Sequence, residues 1–567
     1  MGREKELETL HTKLCQGEGV AISAVAGMGG VGKTELATQY VKRYQDVYGG
    51  GVCWFDVRVN DLATAVVEFI QLNLGLEIPQ KNSQGQPLDI LQQVRWCWQH
   101  WQPEQGKVLL VVDDVGKETK LQEVLPQNKR FSLLLTTRVR NLSPSFTEMP
   151  LNVLSLEKAE ELLIKLLGKQ RVTQEAATAR ELLAWLGYLP LGIELVGWYL
   201  REDPSLSLQE MGELLQEEGL GCEAVDRSIN GTAERGVRAA FELSWAKLDT
   251  EAKDLAMFMG LFAPALLPWE LVKEAAESHL SWSKGSLNQG KRQLYQRHLI
   301  QFDEKENGYK VHALIRVFCQ EKLAASVQKE AFATAFAEAM VAIAKTIPQT
   351  PTLKDIQRVK AAIPHLKEVP SKHLDVVADD EDLIWSFLGL ARFYEGQGLY
   401  KLAEPYYQQC WVEVETRLGE EHPHVASSLN NLAGLHESQG RYTEAEPLYK
   451  QALELRKRLL GEEHPDVATS LNNLAGLYKS QGRYTEAEPL YKQALELRKR
   501  LLGEEHPDVA SSLNNLALLY KSQGKYTEAE LLYQQALELC EQVLGSNHPN
   551  TVTIRNNLAY LQEEMRK

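Results

Sequence analysis

Apolar residues follow one rule in the first 150 positions and another after them. Early on they come in short unbroken runs: Val20-Ala21-Ile22-Ser23-Ala24-Val25-Ala26, then Val108-Leu109-Leu110-Val111-Val112, then Phe131-Ser132-Leu133-Leu134-Leu135. Such runs suit strands of a parallel sheet covered on both faces. Their alternation with helical stretches predicts a parallel α/β domain over 1–150. From 151 the spacing turns helical. Leu156 to Leu167 and Ala176 to Trp198 are amphipathic, predicting a helical domain over 151–222. Within 223–325 a helical region precedes Leu299-Ile300-Gln301-Phe302 and Tyr309-Lys310-Val311, which flank a polar turn. That order suits a winged helix with a short hairpin. Residues 326–382 read as a helical connector, broken at Ile347-Pro348 and Thr350-Pro351.

The remainder, 383–567, repeats itself. Gly398, Gly440, Gly482 and Gly524 each follow a Gln and lie 42 residues apart, and His422-Pro423, His464-Pro465, His506-Pro507 and His548-Pro549 keep the same spacing. Segments 441–482 and 483–524 are nearly identical. Leu471, Leu474, Ala475 and Tyr478 mark one helix face; Tyr484, Ala487, Tyr491, Ala494 and Leu495 mark a second, after a Gln481-Gly482 turn. This resembles the tetratricopeptide repeat family in its 42-residue form, as in kinesin light chain, with four repeats and a last lone helix. The resemblance implies an α-solenoid whose concave face binds a protein or peptide ligand. One repeat, 441–482, holds six basic and six acidic residues, so the groove has no single-sign charge. Asparagine pairs recur mid-helix, ending in Asn431, Asn473, Asn515 and Asn557, although asparagine is a poor helix former. In related repeats such residues hold a peptide backbone; packing between neighbouring repeats is the competing account. The His-Pro pairs lie a full repeat apart, too far for a compact metal site, and read as helix starts.

Composition narrows the functional classes. With 62 Lys+Arg against 77 Asp+Glu the net charge is −15, which argues against coating nucleic acid or anionic lipid by bulk charge. Apolar residues at 44% and charged residues at 25% are ordinary for globular domains with sizeable cores. The seven cysteines are scattered without a Cys-x-x-Cys pair, reading as free thiols in a reducing compartment. The most apolar stretch, 255–269, holds two prolines and falls short of the roughly 20 residues of a spanning helix. The expected location is cytoplasmic, with no membrane partner.

Chemistry concentrates at the ends of the apolar runs. After the first comes Gly27-Met28-Gly29-Gly30-Val31-Gly32-Lys33-Thr34, and a helical pattern begins at Glu35. This fits G-x-x-x-x-G-K-[ST] between a strand and a helix. The glycines let backbone N–H groups close around phosphate oxygens, and the helix aims its positive end at the same anion. Lys33 would reach the β- and γ-phosphates of ADP or ATP, and Thr34 would ligate Mg²⁺. The second run ends in Asp113-Asp114. Ligands bind at the carboxyl ends of such strands, which places Asp113 to hold Mg²⁺ through its water shell and Asp114 to orient or deprotonate the attacking water. The third ends in Thr136-Thr137-Arg138. Arg138 there could test for the γ-phosphate, or merely be solvated.

Together these elements resemble the NB-ARC class of signalling ATPases, which includes plant disease-resistance proteins and bacterial regulators. Gly2-Arg3-Glu4 is similar to the tail of that class's opening motif, which implies that Arg3 helps cover the adenine. Gly187-Tyr188-Leu189-Pro190-Leu191-Gly192 is similar to its Gly-Leu-Pro-Leu motif, which implies that Pro190 packs on the adenine. Phe241-Glu242-Leu243-Ser244-Trp245 resembles the entry to its winged helix. Val311-His312-Ala313 stands where the class has Met-His-Asp, which implies that His312 contacts the β-phosphate of ADP; Val and Ala replace the flanking residues.

The fold class expected is therefore multidomain α/β + α: a P-loop NTPase parallel sheet, helical domain and winged helix, then the solenoid. The implied function is an ADP/ATP switch that rests with ADP, hydrolyses ATP slowly, and forms a homo-oligomer when a ligand is captured. Lys291, Arg292, Arg297 and His298 raise the alternative of a transcription regulator, but the acidic balance disfavours nucleic acid. A scaffold with an inert ATPase is the other alternative. Because the chain starts inside the opening motif, the expected effector is a separate protein or an upstream segment.

Overall fold

A computed structural model of the chain describes residues 3–24, 31–58, 61–82, 84–101, 106–116, 119–137, 139, 142–220, 229–304 and 306–566. It divides into two compact units. The first comprises 1–79, 89–347 and 352–377; the second comprises 80–88, 348–351 and 378–567.

The first unit opens with a five-stranded sheet: β1 (Val20–Ala24), β2 (Val52–Asp56), β3 (Val108–Val115), β4 (Phe131–Thr137) and β5 (Thr147–Leu151). The order is β2-β3-β4-β1-β5 and every pair is parallel. Leu109, Leu110 and Val111 of β3 are fully buried, as an unbroken apolar run in a covered sheet requires. The two strands outside the long apolar runs, β2 and β5, are the five-residue edges. β5 carries Pro150, which an edge position tolerates. Parallel register brings the carboxyl ends of β1, β3 and β4 to one side of the sheet, beside the start of the helix Lys33–Tyr44.

The amphipathic stretch Ala176 to Trp198 is two helices, Ala176–Trp185 and Pro190–Glu202. Gly187 (φ 60) and Tyr188 (φ 54) turn the chain between them, and Pro190 fits the first helical position, where no N–H is needed. Beyond them lie helices Thr250–Met259, Trp269–His279 and Lys284–Gln296, then an antiparallel hairpin of Gln301–Asp303 and Gly308–Lys310. Helix Ala313–Ala324 follows directly. Five of the six described cysteines are buried and Cys15 is exposed, all as free thiols.

In the second unit, helices Asp380–Glu395 and Tyr400–Leu418 form the first pair. Pairs Pro423–Ser438/Tyr442–Leu460, Pro465–Ser480/Tyr484–Leu502 and Pro507–Ser522/Tyr526–Leu544 follow, then the single helix Pro549–Arg566. Small residues at the joints let helices approach: Ala433, Ala445, Ala475 and Ala487 are fully buried. Each His of a His-Pro pair is the N-cap of its helix. Nδ1 of His464 accepts from the Asp466 N–H (3.1 Å), and His422, His506 and His548 repeat the contact two residues on. Ion pairs recur at the joints: Arg441–Glu404 and Arg483–Glu446, both 2.7 Å.

Candidate functional site

The helix Lys33–Tyr44 starts from Gly32, whose φ of 94° lies in the region that glycine alone enters freely. Lys33 is buried at the start of that helix. The Thr34 hydroxyl donates to both oxygens of Asp113, at 2.8 and 3.2 Å. The hydroxyl of Thr136 at the end of β4 donates to the same carboxylate. Three expected elements thus converge through their side chains on Asp113, which is fully buried. Burial pushes the Asp113 carboxyl above its usual range, while the Thr136 and Thr34 hydroxyls and the Arg58 charge pull it back down.

Asp114 sits beside it at φ 60, where the pairing of β3 with β4 shifts register. Its N–H donates to the Thr136 hydroxyl at 2.9 Å. A non-glycine residue at positive φ costs backbone energy that Asp tolerates better than most, and such positions cluster at functional sites. Glu35 lies on the exposed helix surface, its carboxylate accepting from Gln39 Nε2 (2.7 Å). Gly27, Gly29, Gly30 and Arg138 lie outside the described residues. Arg3 reaches the shoulder of the loop: its guanidinium donates to the carbonyls of Val31 (3.4 Å) and Asn152 (2.5 Å).

Pro190 and His312 open two helices that share a small pocket lined by Leu191, Glu194, His298, Lys310 and His312. His312 caps the helix Ala313–Ala324 by accepting from the Leu314 N–H (3.2 Å). Burial raises the Glu194 carboxyl, and the Glu35 charge adds to that rise. Of the four basic groups named from the sequence, Arg292 is exposed and the other three are engaged in packing. Lys291 lies over the Trp269 ring (4.2 Å), Arg297 pairs with Glu202, and His298 stacks on Trp198 at 3.9 Å.

The donor set at Asp113 suits Mg²⁺. A hydroxyl and a carboxylate, both hard oxygen donors, meet at the carboxyl end of the sheet, and Mg²⁺ is held by one or two carboxylates plus phosphate oxygens and water. No group of three or more His, Cys, Asp or Glu among the described residues forms a larger metal cage. Two residues of this site carry no motif: Asp56, which ends β2 opposite Asp113, and Arg58, which bonds to both.

In the second unit the asparagines meet across repeats. Asn473 Nδ2 donates to Asn430 Oδ1 (2.9 Å), Asn515 to Asn472 (3.1 Å) and Asn557 to Asn514 (3.0 Å). The second Asn of each pair is thus bonded to the first Asn of the repeat before it. Asn431 has no such predecessor, because Leu388-Gly389 occupy the equivalent positions.

Comparison with known proteins matches the elements just described. Residues 3–173 match the NB-ARC domain. Four overlapping matches to the tetratricopeptide repeat span 382–567. The chain is 24% identical over 263 residues to Regulatory protein AfsR of Streptomyces griseus, covering 46% of this chain and 26% of that protein. It is 24% identical over 284 residues to Disease resistance RPP8-like protein 3 of Arabidopsis thaliana, covering 46% of this chain and 29% of that protein. The chain therefore spans little more than a quarter of the length of these relatives. A solved STAND (Signal Transduction ATPase with Numerous Domains) protein with a tetratricopeptide repeat sensor, from Pyrococcus horikoshii, is 18% identical with a TM-score of 0.42, covering 98% of this chain and 84% of that one. The NB-ARC domain implies a nucleotide site with a metal, and the repeats imply protein interaction. No helix among the described residues is long and apolar enough to cross a membrane.

Proposed function

We propose that this chain is a nucleotide-dependent switch. ADP holds the resting state, ATP with Mg²⁺ occupies the alternative state, and slow hydrolysis resets it. The observation that carries this reading is the convergence of Thr34, Thr136 and Asp113 beside the buried Lys33. Lys33 neutralises the phosphates, Thr34 and Asp113 hold the metal, and Asp114 positions the attacking water. The metal supplies charge neutralisation at the transferring phosphate. Arg3, Pro190 and His312 are the residues for the adenine and β-phosphate side. The repeats take a protein or peptide ligand, and its capture shifts the equilibrium toward an oligomer. A ligand shifts that equilibrium only by its differential affinity for the two states.

The likeness to a protein named as regulatory supports a second reading, in which the chain controls transcription. The engagement of Lys291, Arg297 and His298 in packing leaves Arg292 as the exposed one of the four basic groups, which with the net charge of −15 disfavours it.

The test is direct. The purified full chain should carry ADP or bind it more tightly than ATP, and Lys33→Ala should abolish binding of both. Equal affinity of parent and variant in a titration would overturn the assignment.

A further inference from the structure

Arg58 follows the edge strand β2 by two residues. Its guanidinium turns back onto Asp56 as a fork, with Nε to Oδ1 at 2.8 Å and Nη2 to Oδ2 at 2.5 Å. The same Nη2 reaches Asp113 Oδ2 at 3.4 Å. Asp56 and Asp113 are paired neighbours in the sheet, and Asp114 adds its field to theirs. Two carboxylates at the ends of adjacent strands would repel each other without a cation. A buried carboxylate also requires a charge partner as well as hydrogen bonds. Asp113 Oδ1 takes the hydroxyls of Thr34 and Thr136 at their closest approach, whereas Oδ2 faces the guanidinium. Arg58 therefore sits on one side of the carboxylate to which the proposed function assigns Mg²⁺.

We propose that Arg58 is the internal counter-ion of the metal site. It neutralises Asp113 in the absence of metal and yields that carboxylate when Mg²⁺ arrives, so it sets the Mg²⁺ concentration at which nucleotide binds. Asp56 is its anchor: the fork holds the guanidinium toward β2 and limits how far it competes with the metal. The argument is a charge balance. A divalent cation beside Asp113 and Thr34 is repelled by a guanidinium within a few ångströms of the same carboxylate. Removing that charge favours the metal. Freeing it from Asp56 makes Asp113 its main partner and opposes the metal. This rests on the nucleotide reading above.

The test measures binding of fluorescent N-methylanthraniloyl-ADP to the full chain across a series of buffered free Mg²⁺ concentrations. Arg58→Gln should lower the half-saturating Mg²⁺ about fivefold, the size of a partly exposed ion pair. Asp56→Asn should raise it, and Arg58→Lys, which keeps the charge, should stay near the parent. A role confined to pinning β2 to β3 would lower melting temperature in Arg58→Gln and leave the Mg²⁺ midpoint unmoved, which overturns the proposal. A midpoint that rises in Arg58→Gln overturns it too. If Arg58→Gln does not fold, opposite shifts in Asp56→Asn and Arg58→Lys are not expected, and a fall in Asp56→Asn still overturns it. A parent that binds the probe at no Mg²⁺ concentration overturns the nucleotide reading and this proposal together, whereas a parent that binds normally beside unmoved variants overturns this proposal alone.

Discussion

His365 is fully buried between two backbone groups of the first unit. Its Nδ1 accepts from the Ala263 N–H and its Nε2 donates to the Leu266 carbonyl, both at 3.1 Å. That pairing fits only the neutral ring, and burial pushes its pKa down to about 4 from 6.5. The folded pKa lies below the unfolded one, so the contribution is complete above about pH 6.5 and is lost as pH falls toward 4. It amounts to about 3 kcal/mol. Urea titrations of parent and His365→Gln should show a gap in stability at pH 7 that narrows steadily toward pH 4; a gap independent of pH would contradict this. At the nucleotide site the informative change is Asp114→Asn. Asn tolerates the positive φ that Ala would strain. The variant should retain ATP and cleave it about 10²–10⁴-fold more slowly. Parent-like turnover would remove Asp114 from that role. Lys33, Thr34, Asp113 and Asp114 stood out in the sequence because each follows or ends an apolar run, and the Thr34–Asp113 hydrogen bond brings two of those runs together. Arg58 was not, since one arginine beyond a five-residue strand has no spacing to betray it, and only the parallel register places Asp56 against Asp113.

Elements with a strong period were read almost completely, because the repeat supplies each boundary several times over. The sheet was read in part: β1, β3 and β4 announce themselves by burial on both faces, whereas the edges β2 and β5 do not. Strand order was not legible at all, since it is decided by crossovers and not by local pattern. Within the repeats the buried arginines expose an energetic weakness. Arg456 is 7% exposed and bonds only neutral oxygens: Ser470 Oγ at 2.9 Å, Ser427 Oγ at 3.2 Å and the Asp466 carbonyl at 3.3 Å. Burial holds its pKa down. Arg498 repeats this arrangement in the next unit, whereas the equivalent positions on either side of the two arginines are the apolar Val414 and Cys540, both buried. A desolvated charge without a counter-ion is often replaceable by an apolar residue of similar volume. Arg456→Met should therefore be neutral or stabilise the chain by about 1 kcal/mol in a denaturant titration. A loss above about 2 kcal/mol would mean the hydrogen bonds outweigh the desolvation.

At the level of the whole molecule, segments 441–482 and 483–524 differ only at Thr469/Ser511 and Gly476/Leu518. Excising 441–482 therefore joins surfaces that already fit each other. Solenoid stability is close to a sum of unit and nearest-neighbour terms. The shortened chain should fold, lose one joint's worth of stability in the repeats, and bind nucleotide with the parent's affinity. A changed nucleotide affinity would show that the number of repeats itself sets the state of the first unit. Near-identity has another outcome, for whatever lies in the groove. Apart from those two positions, successive units present the same side chains at one fixed interval, like marks on a ruler. On the proposed reading, a segment that fits one unit fits the next, so a short ligand would have two nearly interchangeable berths. That degeneracy is worth about 0.4 kcal/mol of affinity at no cost in new contacts. It also lets the ligand step from one berth to the other without leaving the protein.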